Sequence, residues 1–260
     1  MEIIRKAAVA GAFYPEDKES LEYMINEFFK ICKVCECKKP PKAIIVPHAG
    51  YIYSGLVAAE GYKCISKLDQ SKHYKVLLLG PSHFIPFKGA AMPKSNIWET
   101  PLGKVNVEKL PLSDLIIEDE RPHEEEHSLE VQVPFLQTVL KNFTLYPLCL
   151  GEVNPEALAN ELKDFVDQDD VIVVISSDLS HYYKYDEAKD LDDQANKSIP
   201  ALNIQKAEKV EACGIKAVLT LMYLAKELNY NGRFVDYKNS GDTSGDKDRV
   251  VGYGCYAFTK

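Results

Sequence analysis

Three histidines stand just past the ends of three short apolar runs in the sequence. The runs and the histidines that follow them are residues 43–46 and His48, residues 75–79 and His83, and residues 171–175 and His181. Such runs predict buried strands, and binding sites in open α/β sheets form at the carboxyl ends of strands. One histidine after a strand is usually an ordinary surface or hydrogen-bonded residue. Three at equivalent positions predict a shared metal or acid–base site, provided that the strands are neighbours.

Two further residues could complete such a site. Asp178 precedes His181 by three residues and is a candidate acid–base partner that orients its ring. Cys213 lies just before a helix predicted from Gly214, and a helix N-terminus lowers the pKa of a thiol and makes it a better nucleophile and metal ligand. Imidazole with a carboxylate or thiolate suits iron, copper, zinc or nickel. The alternative for Cys213 is a small buried apolar side chain.

The segment 123–127 matches the H-E-x-x-H pattern of zinc metalloproteases and also its inverted form. The acidic composition around it produces such matches readily, and Pro122 disfavours the middle of a helix. We therefore interpret the segment as a solvated loop before a helix, with His123 and His73 at the surface. His127 is a candidate neighbour of the site, because Glu130 follows it on the same helical face.

Cys32, Cys35 and Cys37 have the spacing of half a zinc knuckle, but no second pair of ligands follows at knuckle spacing. Ordinary thiols are expected there, with a structural metal or a disulfide as alternatives. No G-x-G-x-x-G, P-loop or G-x-S-x-G motif occurs in the chain. Dinucleotide, nucleotide and α/β-hydrolase functions are therefore disfavoured.

Strand and helix periodicities alternate along the chain and indicate the elements that must position these residues. Strands are predicted at residues 43–46, 76–79, 145–150, 171–175, 234–237 and 250–256, and helices at 20–32, 54–65, 128–140, 155–166, 186–199 and 214–228. Residues 87–107 are less regular and favour an excursion of short strands. The alternation predicts one α/β domain over residues 1–260, with a largely parallel central sheet flanked by helices.

The composition narrows the classes of function. The chain has 260 residues and a formal net charge of −8, which disfavours a surface for nucleic acid or anionic lipid. The longest apolar run is about half of what a membrane-spanning helix requires. We expect a cytoplasmic protein, because no secretory signal is recognisable. Seven cysteines, an odd number, are then expected as reduced thiols.

Six motifs together make the sequence similar to the Memo family, which includes the mediator of ErbB2-driven cell motility and component B of the AmmeMemoRadiSam system. They are A-G-A-F-Y at residues 10–14, P-H-A-G-Y-x-Y-x-G at 47–55, L-G-P-S-H at 79–83, E-H-S-L-E at 126–130, S-S-D-x-x-H at 176–181 and C-G at 213–214. No single motif is diagnostic, but their order and number are specific. The sequence departs from the animal members at Phe13 and at Tyr182.

The resemblance implies a fold similar to that of the class III extradiol dioxygenases, which are non-haem iron enzymes. It implies a pocket in which His48, His83 and Cys213 bind Fe(II) or copper, and in which His181 is the acid–base catalyst beside Asp178. It also implies an unidentified small-molecule or peptide ligand. In the AmmeMemoRadiSam grouping, a radical SAM protein and an AMMECR-like protein would be partners.

Three functions follow as competing hypotheses. The first is a redox metalloprotein or non-haem oxidoreductase that uses this pocket. The second is a metal-independent peptide-binding module, favoured by the aromatic residues Phe13, Tyr51 and Tyr53. The third is a hydrolase with Cys213 as nucleophile, assisted by His181.

Overall fold

A computed structural model of the chain describes residues 2–32 and 39–260. Of the three cysteines with knuckle spacing, Cys35 and Cys37 lie outside the described residues, and Cys32 is buried. In the described part, Cys32, Cys149, Cys213 and Cys255 are reduced, whereas Cys64 is disulfide-bonded. The expectation of reduced thiols throughout is therefore wrong at Cys64.

Strands and helices alternate over most of the described chain. The strands are β1 Ile4–Arg5, β2 Ala43–Val46, β3 Tyr74–Pro81, β4 Ala90–Met92, β5 Ile97–Thr100, β6 Gly103–Asn106, β7 Ile116–Glu118, β8 Phe143–Leu150, β9 Val171–Ser176, β10 His181–Tyr183, β11 Asn231–Asn239 and β12 Val250–Thr259. The helices are α1 Lys18–Ile31, α2 Tyr51–Ile65, α3 Arg121–Glu124, α4 His127–Glu130, α5 Val133–Val139, α6 Pro155–Val166, α7 Tyr185–Ser198, α8 Ile204–Ala207, α9 Ile215–Glu227 and α10 Ser240–Thr243.

Nine of these strands form one mixed sheet. Its order is β10-β12-β2-β9-β3-β8-β4-β7, and β11 pairs with β12. The central strands β2, β9, β3 and β8 are parallel, as predicted. The outer strands change direction: β12 is antiparallel to β2 and to β11, and β4 is antiparallel to β8. The prediction of a largely parallel sheet therefore holds only at the centre. Strands β11 and β12 pair antiparallel because the connection between them is too short for a crossover helix.

Apolar side chains cover both faces of the central strands. In β2, Ile44 and Val46 pack on the face covered by α1, α2 and α5, whereas Ile45 packs on the face covered by α6, α7 and α9. Burial on both faces explains why these strands have continuous apolar sequences rather than alternating ones. The observed α/β layering confirms the predicted architecture of sheet and flanking helices.

Two local predictions had different outcomes. The irregular segment 87–107 does contain short strands, of which β5 and β6 join β1 in a separate three-stranded sheet. The helix predicted over residues 128–140 is instead divided into α4 and α5. Pro134 lies in the first turn of α5, where its missing N–H costs nothing, but it could not continue a helix from α4.

Candidate metal centre

The carboxyl ends of β2, β9 and β3 lie side by side. Strand β9 pairs with β2 on one edge and with β3 on the other. His48 follows β2, His83 follows β3, and Asp178 follows β9 between them. The condition that the strands be neighbours is therefore met.

The third imidazole at this edge is that of His127, and not that of His181 as the strand ends predicted. One ligand atom from each of the three imidazoles lies within 4.8 Å of those of the other two. The ring centres of His83 and His127 are 4.6 Å apart in a stacked arrangement, and both rings are nearly perpendicular to that of His48. Three converging imidazoles are a donor set that suits zinc, iron, copper or nickel.

Close packing of α4 against β3 brings His127 into the site. A Cβ on Gly80 in β3 would lie 2.8 Å from the side chain of Leu129 and 3.1 Å from Ser128 Oγ. The hydroxyl of Ser128 also donates a hydrogen bond of 2.9 Å to the carbonyl oxygen of Pro81. Glycine in β3 therefore allows a tight approach that places His127 beside His83.

A buried hydrogen-bond network fixes the tautomer of His48. Gln132 Nε2 donates to the carbonyl oxygen of Pro47 at 2.9 Å and to Ser176 Oγ at 2.8 Å. The Ser176 hydroxyl in turn donates to the carbonyl oxygen of Ser128 at 2.5 Å. Ser176 Oγ can therefore only accept from His48 Nδ1, which lies 2.9 Å away. The proton of His48 is on Nδ1, and Nε2 keeps its lone pair for a ligand.

Glu126 holds the other two imidazoles. One carboxylate oxygen lies 2.9 Å from His83 Nδ1 and 3.4 Å from His127 Nδ1, and the other accepts the backbone N–H of His83 at 2.6 Å. Burial acts to raise the pKa of Glu126, but the interactions with His83 and the N–H of Ser128 outweigh it and lower the pKa to about 2. Glu126 is thus ionised, and it accepts a hydrogen bond from His83 Nδ1–H, so that Nε2 is the ring nitrogen available to a metal.

The pKa values of His48 and His127 favour neutral rings. Burial, with the neighbouring His127 and His83 imidazoles, holds the pKa of His48 well below its usual range. Burial also lowers the pKa of His127, although Glu126 opposes this effect. Neutral imidazole is the form that binds a metal, so protons compete weakly for these nitrogens.

Cys213 lies against His48 and Asp178. Its Sγ is 3.2 Å from His48 Nε2 and accepts the backbone N–H of Asp178 at 3.2 Å. A Cβ on Gly214 would lie 2.7 Å from the carbonyl oxygen of Ser176, so only glycine allows the start of α9 to approach β9 this closely. Cys213, which was predicted as a metal ligand, is therefore next to Nε2 of His48, the nitrogen that carries the lone pair.

The expected lowering of the thiol pKa is wrong. Burial, followed by the nearby Asp178, raises the pKa of Cys213 despite its place before α9. His48, its nearest imidazole, is held neutral. A thiol that stays protonated is a weak nucleophile, which weighs against the hypothesis of a hydrolase in which His181 and Asp178 assist Cys213.

A cavity of about 530 Å³ opens beside the cluster. Its lining includes Phe13, Tyr53, His127, Asp178 and His181. Phe13 packs on His127, with ring centres 4.6 Å apart. The predicted pocket residues Phe13, Tyr53 and His127 therefore do share one cavity with the predicted catalytic pair.

Asp178 and His181 have separate partners. Asp178 Oδ1 accepts the backbone N–H of His48 at 2.8 Å, and burial raises the pKa of this carboxyl to about 7. Burial lowers the pKa of His181, and its ring interacts with the carbonyl of Leu179. The carboxylate of Asp178 thus orients the loop that carries His48, and Leu179 rather than Asp178 contacts the ring of His181.

Tyr51 and His123 are placed differently from the sequence expectation. Tyr51 begins α2 and lies in the core, where its hydroxyl donates to the carbonyl oxygen of Val131 at 2.6 Å. His123, expected at the surface, is fully buried, and its Nε2 lies 2.8 Å from the carbonyl oxygen of Ala91. His123 and His127 belong to different helices, so the H-E-x-x-H match does not form a zinc site. His73 is exposed, as expected.

Sequence reasoning missed Glu126, Ser176 and Gln132 as the residues that hold the imidazoles. Glu126 was considered part of a solvated acidic run, whereas it is buried. Its position directly before His127 was the available signal. Gln132 and Ser176 carried no signal of their own, because their roles depend on contacts between distant segments.

Comparisons with known proteins agree with the motifs. A family model described as "Memo-like protein" matches residues 5–257. Similar proteins, each described as a MEMO1 family protein, occur in Aquifex aeolicus (38% identical, covering 96% of this chain and 97% of that protein), Sulfolobus acidocaldarius (37%, 96% and 98%) and Thermoplasma volcanium (36%, 96% and 97%). None of the helices in the described residues is long and apolar enough to span a membrane.

Proposed function

The chain belongs to the Memo family, and we propose that it binds iron or copper at His48, His83 and His127 and acts as a metal-dependent oxidoreductase on a small organic ligand. The observation that carries the proposal is the convergence of three imidazoles within 4.8 Å. For His48 and His83, a hydrogen-bond acceptor on Nδ1 leaves Nε2 free to ligate. Such preorganisation is typical of metal ligands rather than of surface histidines.

The donor set fits the metal that the family resemblance implies. Iron or copper bound there would supply Lewis-acid and one-electron redox chemistry. The thiol of Cys213 is 3.2 Å from His48 Nε2 and could add a soft ligand after losing its proton. The ring of Phe13 packs against that of His127 on the side of the cavity.

The proposed role of His181 is to accept a proton from the bound ligand. It lines the cavity with His127, and burial lowers its pKa, so the ring is neutral and can take up a proton. The similarity to the class III extradiol dioxygenases and the pairing with radical SAM and AMMECR-like proteins belong to the same proposal.

The decisive experiment is metal analysis of protein purified without oxygen. We expect close to one equivalent of iron or copper in the wild type and in His73→Ala, an exposed-histidine control, and loss of metal in a variant with His48→Ala and His83→Ala. Equal, substoichiometric metal in all three would refute metal binding. Zinc as the only metal found would refute the redox role.

Two further variants test whether His127, Cys213 or both bind the metal together with His48 and His83. If His127 is a ligand, His127→Ala should lose metal while Cys213→Ser retains it. If Cys213 also ligates, Cys213→Ser should lose a thiolate-to-metal absorption band that the wild type shows. Ligand binding that persists in metal-free protein, together with no metal in the wild type, would instead support the peptide-binding module.

A further inference from the structure

Arg249 lines the cavity beside the candidate metal centre, together with His127 and His181. Among the described residues, no carboxylate forms an ion pair with its guanidinium, although the chain has 39 acidic side chains. Its contact is with the ring of Tyr182, whose centre is 4.9 Å from the guanidinium carbon. An arginine that stacks on an aromatic ring keeps its planar donors available for an anion.

The backbone around Tyr182 holds this pair at the cavity. Strands β10 and β12 pair His181 with Val251 and Tyr183 with Val250, and the register shifts between them, so that Tyr182 is the bulged residue. Tyr182 has a φ of +67°, in the left-handed region that side chains other than glycine rarely adopt. Strained bulges of this kind redirect side chains next to functional sites.

The rest of the cavity is compatible with a ligand that has an apolar body and an anionic group. Phe13 and Tyr53 provide aromatic surface. The two carboxylates in the lining, Asp178 and Asp246, each accept a backbone N–H, from His48 and Asp248 respectively. A volume of about 530 Å³ suits a small molecule.

We propose that the ligand of this cavity is a small organic carboxylate, with its carboxylate on Arg249 and its apolar body against Phe13 and Tyr53. The guanidinium fork matches the two oxygens of a carboxylate. The proposal deepens the proposed function and rests on it in one respect: the ligand of this cavity is taken to be the substrate of the adjoining centre. The proposed contact between Arg249 and the carboxylate of the ligand does not depend on bound metal.

Calorimetric titration of metal-free protein with benzoate and with its neutral analogue benzamide tests the proposal. We expect the wild type to prefer benzoate, Arg249→Gln to bind benzoate about 10- to 100-fold more weakly with benzamide unchanged, and Arg249→Lys to be intermediate. Arg233→Gln is the matched control, because Arg233 pairs opposite Ala257, far along β12 from the cavity. Thermal unfolding of each variant verifies that it is folded.

Three results would overturn the proposal: no benzoate binding to the wild type, equal benzoate binding to Arg249→Gln, or an equal loss of benzoate and benzamide. Metal content of the same proteins is measured separately. If the wild type binds benzoate through Arg249 but holds no metal, the proposed function fails while the carboxylate site stands. If the wild type and Arg249→Gln both hold metal and bind benzoate equally well, the carboxylate site fails while the proposed function stands.

Discussion

Glu126 connects two of the three imidazoles and is the residue on which the cluster depends most. Its oxygens accept the N–H and Nδ1–H of His83 and the N–H of Ser128, and one of them faces His127 Nδ1. The groups of His83 and Ser128 are donors, and an ionised carboxylate is the form that accepts from all three of them. The low pKa of Glu126, about 2, is the consequence.

We therefore expect Glu126→Gln to reduce metal affinity about 10- to 100-fold, the usual effect of removing a carboxylate that holds a metal-binding histidine. A glutamine has only one acceptor oxygen and presents an N–H₂ to the donors of His83. Competition titration against a chelator measures the change. Glu125→Gln, at the exposed neighbouring position, should retain wild-type affinity, and equal affinities in the two variants would contradict the assigned role.

At the scale of elements, a buried ion pair ties the N-terminal strand to the helix that carries His127. Arg5 in β1 donates to Glu130 in α4 at 2.6 Å and to the carbonyl oxygens of His123 and Glu126. Glu130 also accepts the hydroxyl of Tyr14 and the backbone N–H groups of residues 8 and 9. The pair thus fixes α3 and α4 against the N-terminal segment.

Glu130→Gln should lower the free energy of unfolding by about 3 to 5 kcal/mol, because Arg5 would remain buried without a compensating charge. Denaturant unfolding followed by circular dichroism provides the measurement. The adjacent pair of Lys6 and Glu99 serves as a comparison, since Lys6 is exposed. Glu99→Gln should leave stability nearly unchanged; a comparable loss in both variants would show that burial of the Arg5 pair is not the cause.

At the scale of the whole molecule, buried neutral histidines make stability depend on pH. His123 is fully buried against Trp98, with ring centres 5.8 Å apart. Its Nδ1 has no hydrogen-bond partner among the described residues, so a second proton there would be unsatisfied. Burial lowers the pKa of His123 from 6.5 to about 4.

The unfolded chain therefore binds more protons at His123 than the folded protein between pH 6.5 and 4, and stability falls as pH falls through that window. We expect the stability advantage of the wild type over His123→Gln to shrink by roughly 3 kcal/mol between pH 7 and pH 4. Urea unfolding at several pH values measures it. His73→Gln should show the wild-type pH dependence, and an advantage of His123 that stays constant with pH would contradict the prediction.

The amino-acid sequence is sufficient to predict the α/β layering, the three strand ends and the positions of His48, His83 and Asp178. These follow from local patterns: apolar runs of strand length, helical periodicity, and the side chains just beyond each run. The family motifs can also be recognised in the sequence. One of these motifs covers residues 126–130, but the motif alone does not indicate what each of its residues does in the structure.

Which side chains meet depends on contacts between distant segments, and these are visible only in the folded chain. His127 reaches the cluster because Gly80 lets α4 pack closely on β3, a contact between segments far apart in the chain. His123 and Glu126, which local composition indicates as solvated, are also buried, because segments far away in the sequence cover them. Burial then reversed the expected pKa of Cys213, because desolvation depends on neighbours from the whole fold, whereas helix position depends only on nearby residues.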